Sequence, residues 1–337
     1  MKMPTLTRRR LLEAAAAATV LGPGFTAFSQ EQTQRDRSWR LDSREAFQEY
    51  GVVRLDAAVP VDVALTLRDT LYKLVAEEHS VDTCDPTTWS ASSQGLFEAQ
   101  GALRVSRLKR IAKRMRREQS SFQALLSATQ DAVYGAFGST TWTLRKGASP
   151  AMNLPIPDVA PRGDQGEHHW TVPRSIWSGG GLVDGQQLPW MMSCTVLLER
   201  SVPGGGGALA IPGSHRLMKM LAEQLGPVPE LWGPGLKKMC PSMNPAQTRF
   251  FKSRKLKRAL AAEVPWFQQL FSDWGTEEER IGNFMHQGCI YRDVPLKVVE
   301  FTGEPGDVIL HSSGLNGLSA NISGTPHAVM NISCLRA

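Results

Sequence analysis

The sequence has few cysteines and no closely spaced pair of them. The 337 residues include Cys84, Cys194, Cys240, Cys289 and Cys334. The odd number, the wide spacings and the lack of a CxxC pair exclude a cysteine-based zinc motif and a dense disulfide framework. Most of the five are expected to be buried apolar residues. One disulfide is conceivable if the protein is exported, but the spacing does not pair the cysteines.

Long apolar runs are also missing. No stretch reaches the roughly 18 uninterrupted apolar residues of a membrane-spanning helix, and no internal repeat is found. Hydrophobic residues make up 42% of the chain, which is enough for one large β-rich domain or two smaller ones. No nucleic-acid-binding motif accompanies the basic clusters, which are not interleaved with aromatic residues, so we expect no nucleic-acid partner.

The first 29 residues have the layout of a targeting signal. A basic region with Arg8, Arg9 and Arg10 precedes an alanine-rich apolar run and small residues around Ala27 and Ser29. This pattern predicts a cleavable export signal that resembles a twin-arginine signal, with delivery to the periplasm or the thylakoid lumen. The alternatives are import into an organelle matrix and a plain N-terminal helix. Cleavage would remove four basic residues and one acidic residue and lower the formal charge from +6 to +3.

Residues 44–100 predict helices around one short strand. A helix ends at Gly51, a strand follows at Val52–Leu55, and Leu67, Leu71 and Leu74 have helical spacing in a second helix. Residues 80–100 are rich in Ser, Thr, Asp and Pro, which predicts a loop.

The segment Lys109–Arg117 is strongly basic. Leu108, Ile111, Ala112 and Met115 recur at positions i, i+3, i+4 and i+7, so the segment is predicted to be an amphipathic helix. The basic face is either a solvated surface or a docking site for an anionic membrane surface, a phosphate-bearing ligand or an acidic protein. A second basic cluster lies at 252–258.

From about residue 140 onward, short apolar runs alternate with Gly and Pro. The runs "SCTVLL", "ALAI", "LKVVEF" and "VILH" read as strands separated by turns, which indicates a β-sandwich or barrel. Residues 215–290 interrupt this pattern with a predicted helical and loop insertion that contains Trp232, Trp266 and Trp274.

Four motifs in order give the sequence a family resemblance. They are Phe47 with Gly51-Val52-Val53, the Pro212-Gly213-Ser214-His215 turn, the Gly306-Asp307 strand opening, and Asn321 with Ser323. Together they resemble the phytanoyl-CoA dioxygenase family over roughly residues 44 to 335. The resemblance implies one domain over 30–335, mainly β with flanking helices around a double-stranded β-helix (jelly-roll, cupin-like) core. It also implies Fe(II), 2-oxoglutarate and oxygenase or hydroxylase chemistry on a hydrophobic or anionic small molecule.

The residues that the resemblance assigns to iron are altered. The family's His-x-Asp pair falls in "GDQGEHHWTVPRS", where His168 and His169 are present but neither is followed two residues later by a carboxylate. A facial iron site needs two histidines and a carboxylate. We therefore take His168, His169 and His311 as candidate metal ligands, and we expect His215 to be a hydrogen-bonded structural residue.

The segment from Gly306 to Ser333 reads as a strand, a turn and a second strand. Asn316 and His327 are eleven residues apart, at the places where the resemblance implies an iron histidine and the arginine that binds 2-oxoglutarate. These two candidate cofactor-binding residues argue against 2-oxoglutarate, because neither supplies a charged bidentate fork. His311 and His327, with His168 or His169, could instead form an all-histidine site. Two functions remain open: an oxygenase-derived enzyme, and a non-catalytic binding or assembly protein.

Overall fold

The structure is a computed structural model that describes residues 39–91, 105–117, 119–137, 142–155, 177–178, 191–217, 260–272, 274–311, 315–318, 321 and 323–336. The predicted signal at 1–29, His168, His169 and the basic cluster at 252–258 lie outside the described residues. The predictions made for them stay predictions.

The helices lie mostly before residue 140 and in the second half of the predicted insertion. They are α1 (Trp39–Tyr50), α2 (Val61–His79), α3 (Thr87–Ala91), α4 (Val105–Met115), α5 (Gln119–Phe137), α6 (Pro265–Leu270) and α7 (Glu277–Arg280). A π-helix over Ile281–Gln287 continues directly from α7. Within the part of the chain that the structure describes, no helix is both long enough and apolar enough to span a membrane.

The strands form two main sheets and a hairpin. They are β1 (Val52–Leu55), β2 (Trp142–Asn153), β3 (Trp177–Ser178), β4 (Met191–Leu197), β5 (Ala208–Ala210), β6 (Cys289–Tyr291), β7 (Val294–Leu296), β8 (Val299–Glu300), β9 (Val308–His311), β10 (Leu315–Leu318) and β11 (His327–Arg336). The first sheet has the order β1-β9-β4-β11-β2, the second β3-β10-β5-β8, and β6 pairs with β7.

The chain alternates between the two main sheets. After β3 in the second sheet come β4 in the first and β5 in the second, and β8 to β11 change sheet at every step. All pairings are antiparallel. This alternation defines a double-stranded β-helix with flanking helices, which confirms the predicted fold class.

One face of the first sheet packs against the helices. Leu67, Leu71 and Leu74 of α2, predicted from their spacing, are buried there with Phe122 and Leu125 of α5. Burying one leucine side chain contributes about 1.5–3 kcal/mol, so this helix-side core stabilises the whole first sheet.

The basic helix α4 uses its apolar side for the same core. Leu108, Ile111 and Met115 are buried, which confirms the predicted amphipathic helix. On the polar side, Arg114 pairs with Glu77 at 2.6 Å and with Glu78 at 3.2 Å. An anionic partner for the remaining basic residues stays a prediction.

The interpretation of Gly306–Ser333 as one hairpin is wrong. β9 and β11 both pair with β4, one on each side of it. Between them in the chain, β10 pairs with β3 and β5 in the second sheet. The apolar runs are strands, as predicted. Their pairing partners are far away in sequence and cannot be deduced from a local pattern.

Three segments differ in extent from the sequence prediction. Thr87–Ala91 is a short helix within the predicted loop at 80–100, and α5 and the long strand β2 were not predicted as such. The segment 260–296 is packed, as its tryptophans indicated: Trp266 and Phe284 share a second core with Leu209 of β5.

Candidate functional site

The face of the first sheet that points away from the helices forms the candidate site. Side chains alternate between the two faces of a strand, so Cys194 and Val196 of β4 face the helices while Ser193 and Thr195 face the other way. The second sheet covers this face, because Phe301, which follows β8, packs against Val52, Leu197, Ile309 and Val329. We call this surface the inner face.

The inner face is layered along the strands. The register places His311, Ser193 and Ser333 side by side, and in the next layer Thr195, Asn331 and Ser149. We call these two layers the polar rows. Leu197 and Val329 lie opposite each other in the row below. They pack in an apolar belt with Ile309, which is opposite Thr195, and with Val52, which is opposite His311. The register then places His327 beside Asn153 at the far end.

Three side chains in the polar rows are hydrogen-bonded to each other. The Thr195 hydroxyl donates to Asn331 Oδ1 at 2.9 Å, and its oxygen is 3.3 Å from His311 Nε2. A hydroxyl has one proton to donate, so Thr195 accepts from His311 and the proton of the neutral ring is assigned to Nε2. These two hydrogen bonds to the buried Thr195 therefore fix the orientation of both His311 and Asn331.

The polar rows are uncharged at neutral pH. His311 keeps partial solvent exposure, yet the surrounding protein buries the ring enough to lower its pKa to about 4. The other members are Ser, Thr and Asn. The charged Arg54 of β1 is turned to the edge, where it binds the Thr302 carbonyl at 2.6 Å and Asp56 at 2.9 Å.

Most side chains of the polar rows are exposed or partly exposed to solvent, although Thr195 is buried. Asn331 is exposed while its strand, β11, is hydrogen-bonded on both sides by β2 and β4. Ser149 is also exposed, and Ser193 and Ser333 are partly exposed. These exposed and partly exposed side chains mark the end of the β-helix that we call the open mouth.

His327 lies at the closed end, under the apolar belt. It is 4% exposed, burial lowers its pKa to about 4, and its Nδ1 has no hydrogen-bond partner among the described residues. The ring is therefore neutral where the family resemblance implies a cationic arginine. A neutral imidazole does not make the paired, charge-assisted contact that a guanidinium makes with a carboxylate.

Asn316 belongs to the other sheet. It lies in β10, opposite Trp177 of β3 and Ala210 of β5. The structure thus places the two candidate cofactor-binding residues, Asn316 and His327, in different sheets.

His311 and His327 are too far apart to share one metal ion. His311 aligns through Ser193 with Ser333, and His327 is six residues further along β11. At about 3.3 Å per residue the two histidines are roughly 20 Å apart along the strands, whereas metal–nitrogen bonds are about 2 Å long. The all-histidine site that includes both residues is therefore wrong.

The motifs that carry the family resemblance make hydrogen bonds that hold the backbone in place. His215 Nε2 bonds to the Gln48 carbonyl at 2.9 Å, and the Gly213 amide donates to the Tyr50 carbonyl at 2.7 Å. Both contacts satisfy the last turn of α1, where carbonyls lack helical partners. Burial lowers the pKa of His215, which agrees with the structural role expected for it.

The Asn321 side chain likewise joins two parts of the backbone. Its Nδ2 donates to the Asn153 carbonyl at 2.8 Å and to the Thr325 carbonyl at 2.9 Å. Its Oδ1 accepts from the Ser323 amide at 3.1 Å. The motif therefore closes the turn before β11.

Sequence reasoning missed Thr195 and Asn331. They are 136 residues apart and meet only through the pairing of β4 with β11. The available signal was the alternation of polar with apolar residues in "SCTV" and "MNIS", which marks a strand with one polar face.

Comparisons with known proteins find similarity in structure but not in sequence. No protein-family model and no curated protein matches the chain. The non-haem α-ketoglutarate-dependent carbocyclase SnoK from nogalamycin biosynthesis is 10% identical, with 88% of this chain and 83% of that chain covered and a TM-score of 0.47. EctD from S. alaskensis with bound Fe is 15% identical, with coverages of 91% and 80% and a TM-score of 0.40. HygX from Streptomyces hygroscopicus with nickel and 2-oxoglutarate is 11% identical, with coverages of 87% and 87% and a TM-score of 0.40.

The described residues do not fit an iron and 2-oxoglutarate site. They contain no group of three His, Cys, Asp or Glu side chains placed to hold a metal ion. Among the described contacts, His311 meets Thr195, which in turn bonds to Asn331, and the buried His327 is neutral. His168 and His169 lie outside these residues, so their candidacy as ligands stays a prediction.

Proposed function

We propose that this double-stranded β-helix protein binds a small, uncharged amphiphilic molecule in its open mouth. The observation that carries the proposal is the exposed Asn331 on β11, a strand that is paired on both sides. Its Oδ1 accepts from Thr195, so its Nδ2 protons are directed to the open side and donate to an oxygen of the ligand. His311, held by the same threonine, supplies a second neutral polar group.

The layering sets the chemical class of the ligand. A hydroxyl or carbonyl group of the ligand meets the polar rows. Its apolar portion lies outside the belt, because Leu197, Ile309 and Val329 are already covered by Phe301. Burying apolar area gives affinity of about 25 cal/mol per Å², and the neutral hydrogen bonds orient the molecule. The charged group of an anionic ligand would lose its solvation here. Arg54 would not compensate for this loss, because it is already paired with Asp56.

Matched probes test this proposal. Decan-1-ol and decanoate have the same chain and differ in charge, and calorimetry should show that the alcohol binds at least about tenfold more tightly, because one unpaired buried charge costs more than about 1.4 kcal/mol. Asn331→Leu and Thr195→Val should each weaken binding of the alcohol by about three- to tenfold through the loss of one neutral hydrogen bond.

Thr66→Val is the control for the threonine substitution. The Thr66 hydroxyl bonds to the Asp62 carbonyl within α2, away from the inner face, so this variant should bind decan-1-ol like the original protein. Equal affinity for the two probes, or an unchanged affinity in Asn331→Leu, would contradict the proposal.

A second candidate is non-haem metal oxygenase chemistry on a hydrophobic substrate. It is favoured by His311, a neutral imidazole on the inner face, and it requires His168 or His169 to provide further ligands. Elemental analysis after loading with Fe(II) distinguishes the two functions. The oxygenase is favoured if the original protein holds about one equivalent of iron and the double variant His168→Ala, His169→Ala loses it. The binding function is favoured if the original protein holds less than about a tenth of an equivalent.

A further inference from the structure

Two cysteines meet in the helix-side core, outside the candidate site. Cys194 lies in β4 and Cys334 in β11, and their Sγ atoms are 3.2 Å apart. The two residues are 140 positions apart in the chain, and both are fully buried.

The strand register explains why the sulfurs converge. Cys194 is opposite Ile332, and Cys334 is opposite Met192, so the cysteines are diagonal neighbours on one face of the strand pair. Diagonal neighbours are typically about 7–8 Å apart, which is near the upper limit for a disulfide, but here the two side chains bring their sulfurs to 3.2 Å. A disulfide bond is about 2.05 Å long, so the two sulfurs need to approach by only about 1.2 Å.

The other described cysteines have different surroundings. Cys84 is exposed, and Cys289 lies in the β6–β7 hairpin. In a labelling experiment, Cys84 serves as the reference for an exposed thiol, and Cys289 as the reference for a thiol in a different part of the fold.

We propose that Cys194 and Cys334 form an intramolecular disulfide when the chain folds in the presence of a disulfide oxidant. With oxidised glutathione, the Cys194 thiolate attacks one glutathione sulfur and releases one glutathione thiolate. The Cys334 thiolate then attacks Cys194 Sγ and releases the second. Two cysteine thiols are oxidised, oxidised glutathione is reduced to two glutathione molecules, and the two protons go to the departing thiolates.

The bond forms while β4 and β11 are still assembling. Thiol–disulfide exchange requires a thiolate and access to it, and in the folded chain both sulfurs are buried. The hydrogen bond to Cys334 and burial also raise the pKa of the Cys194 thiol well above its ordinary value. A chain that has already folded in the reduced state should therefore resist the oxidant, whereas a refolding chain should react.

The disulfide would tie together β4 and β11, two adjacent interior strands of the first sheet. It closes a loop of 140 residues, and a crosslink over such a long loop restricts the unfolded chain strongly. We expect the oxidised protein to have a Tm higher by at least about 5 °C than the reduced protein.

Peptide mapping tests the proposal directly. The protein is unfolded in urea with reductant, refolded with a mixture of reduced and oxidised glutathione, alkylated with N-ethylmaleimide in denaturant, digested and analysed by mass spectrometry. We expect a peptide that links Cys194 to Cys334, and alkylated Cys84. Two alkylated cysteines at 194 and 334, or either of them linked to another cysteine, would overturn the proposal.

Two variants separate the effect of the bond from the effect of packing. Cys84→Ala should keep the linked peptide and the redox-dependent Tm, and Cys334→Ala should lose both. If Cys334→Ala does not fold, the peptide map of the original protein still decides. A Tm that is the same after refolding with oxidised glutathione and with dithiothreitol, despite the linked peptide, would overturn the stabilising role.

Discussion

We expect the protein to lose stability as the pH rises through about 7, and replacing Glu199 with glutamine should remove this loss. Glu199 follows β4 and accepts a hydrogen bond at 2.7 Å from Tyr72 of α2 on the helix side of the sheet. Burial raises the pKa of Glu199 to about 7 from its ordinary value of 4.5, against the opposing effects of Tyr72, Arg68 and the Ala328 amide. The side chain is therefore largely protonated below pH 7 in the folded protein and ionised above pH 4.5 in the unfolded chain.

The sign and size follow from proton linkage. Between these two pKa values the folded protein holds more protons than the unfolded chain, so the free energy of unfolding falls as the pH rises. The contribution of Glu199 is fully present below pH 4.5 and is lost as the pH passes through about 7. At about 1.36 kcal/mol per pKa unit, the loss is at most about 3 kcal/mol.

Glutamine is a close substitute for the protonated form. Its carbonyl oxygen can accept from Tyr72, and its amide nitrogen takes the place of Oε1, which has no hydrogen-bond partner in the described residues. Urea unfolding followed by circular dichroism at pH 5, 6, 7 and 8 should show that Glu199→Gln gains about 2–3 kcal/mol over the original protein as the pH rises through this range.

The control is Glu304→Gln, since Glu304 is exposed and pairs with the exposed Arg200. Its stability difference from the original protein should stay within about 0.5 kcal/mol at all four pH values. If the difference for Glu199→Gln were equally flat, Glu199 would be ionised in the folded protein and the reasoning from burial would be refuted.

Two further predictions concern the framework of the fold, and urea unfolding measures both. Gly206→Ala should destabilise the protein by about 2 kcal/mol or more. Gly206 has a φ of +81°, and an added Cβ would overlap the Asn153 amide. The control, Gly324→Ala, places its Cβ in open space and should change the free energy of unfolding little. Arg280→Met should cost about 3 kcal/mol, because the buried guanidinium donates to backbone carbonyls at 3.0–3.1 Å. Arg200→Met should cost less than about 1 kcal/mol, and similar values for the members of either pair would contradict the prediction.

The sequence predicted elements whose signals are local. The strand Val52–Leu55 has the predicted bounds, and the leucines of α2 and the apolar face of α4 are buried as their spacing predicts. These signals are local because one helix face or one strand face is encoded within a few turns or residues. The double-stranded β-helix followed from motifs such as Asn321 and His215, which the structure shows to be structural.

The candidate site could not be predicted in the same way. Thr195 and Asn331 are neutral residues of common types, and their contact depends on the register of β4 against β11. His311 and His327 looked like neighbours because β9 and β11 were read as a hairpin, but β4 lies between these strands. Strand order depends on contacts between residues far apart in the chain. The strands could therefore be predicted from the sequence, but their pairing partners could not.

The central place of β11 has a consequence for how the protein is made. β11 is last among the described strands in chain order, yet β2 and β4 both pair with it. During synthesis these two strands leave the ribosome first and present unpaired edges, which favour aggregation until they are covered. The first sheet also depends on contacts such as that between Ala57 and Asp307, which are 250 residues apart, and long-range contacts slow folding. The β-helix therefore assembles after translation of the described strands, and a chaperone that shields sheet edges should raise its yield.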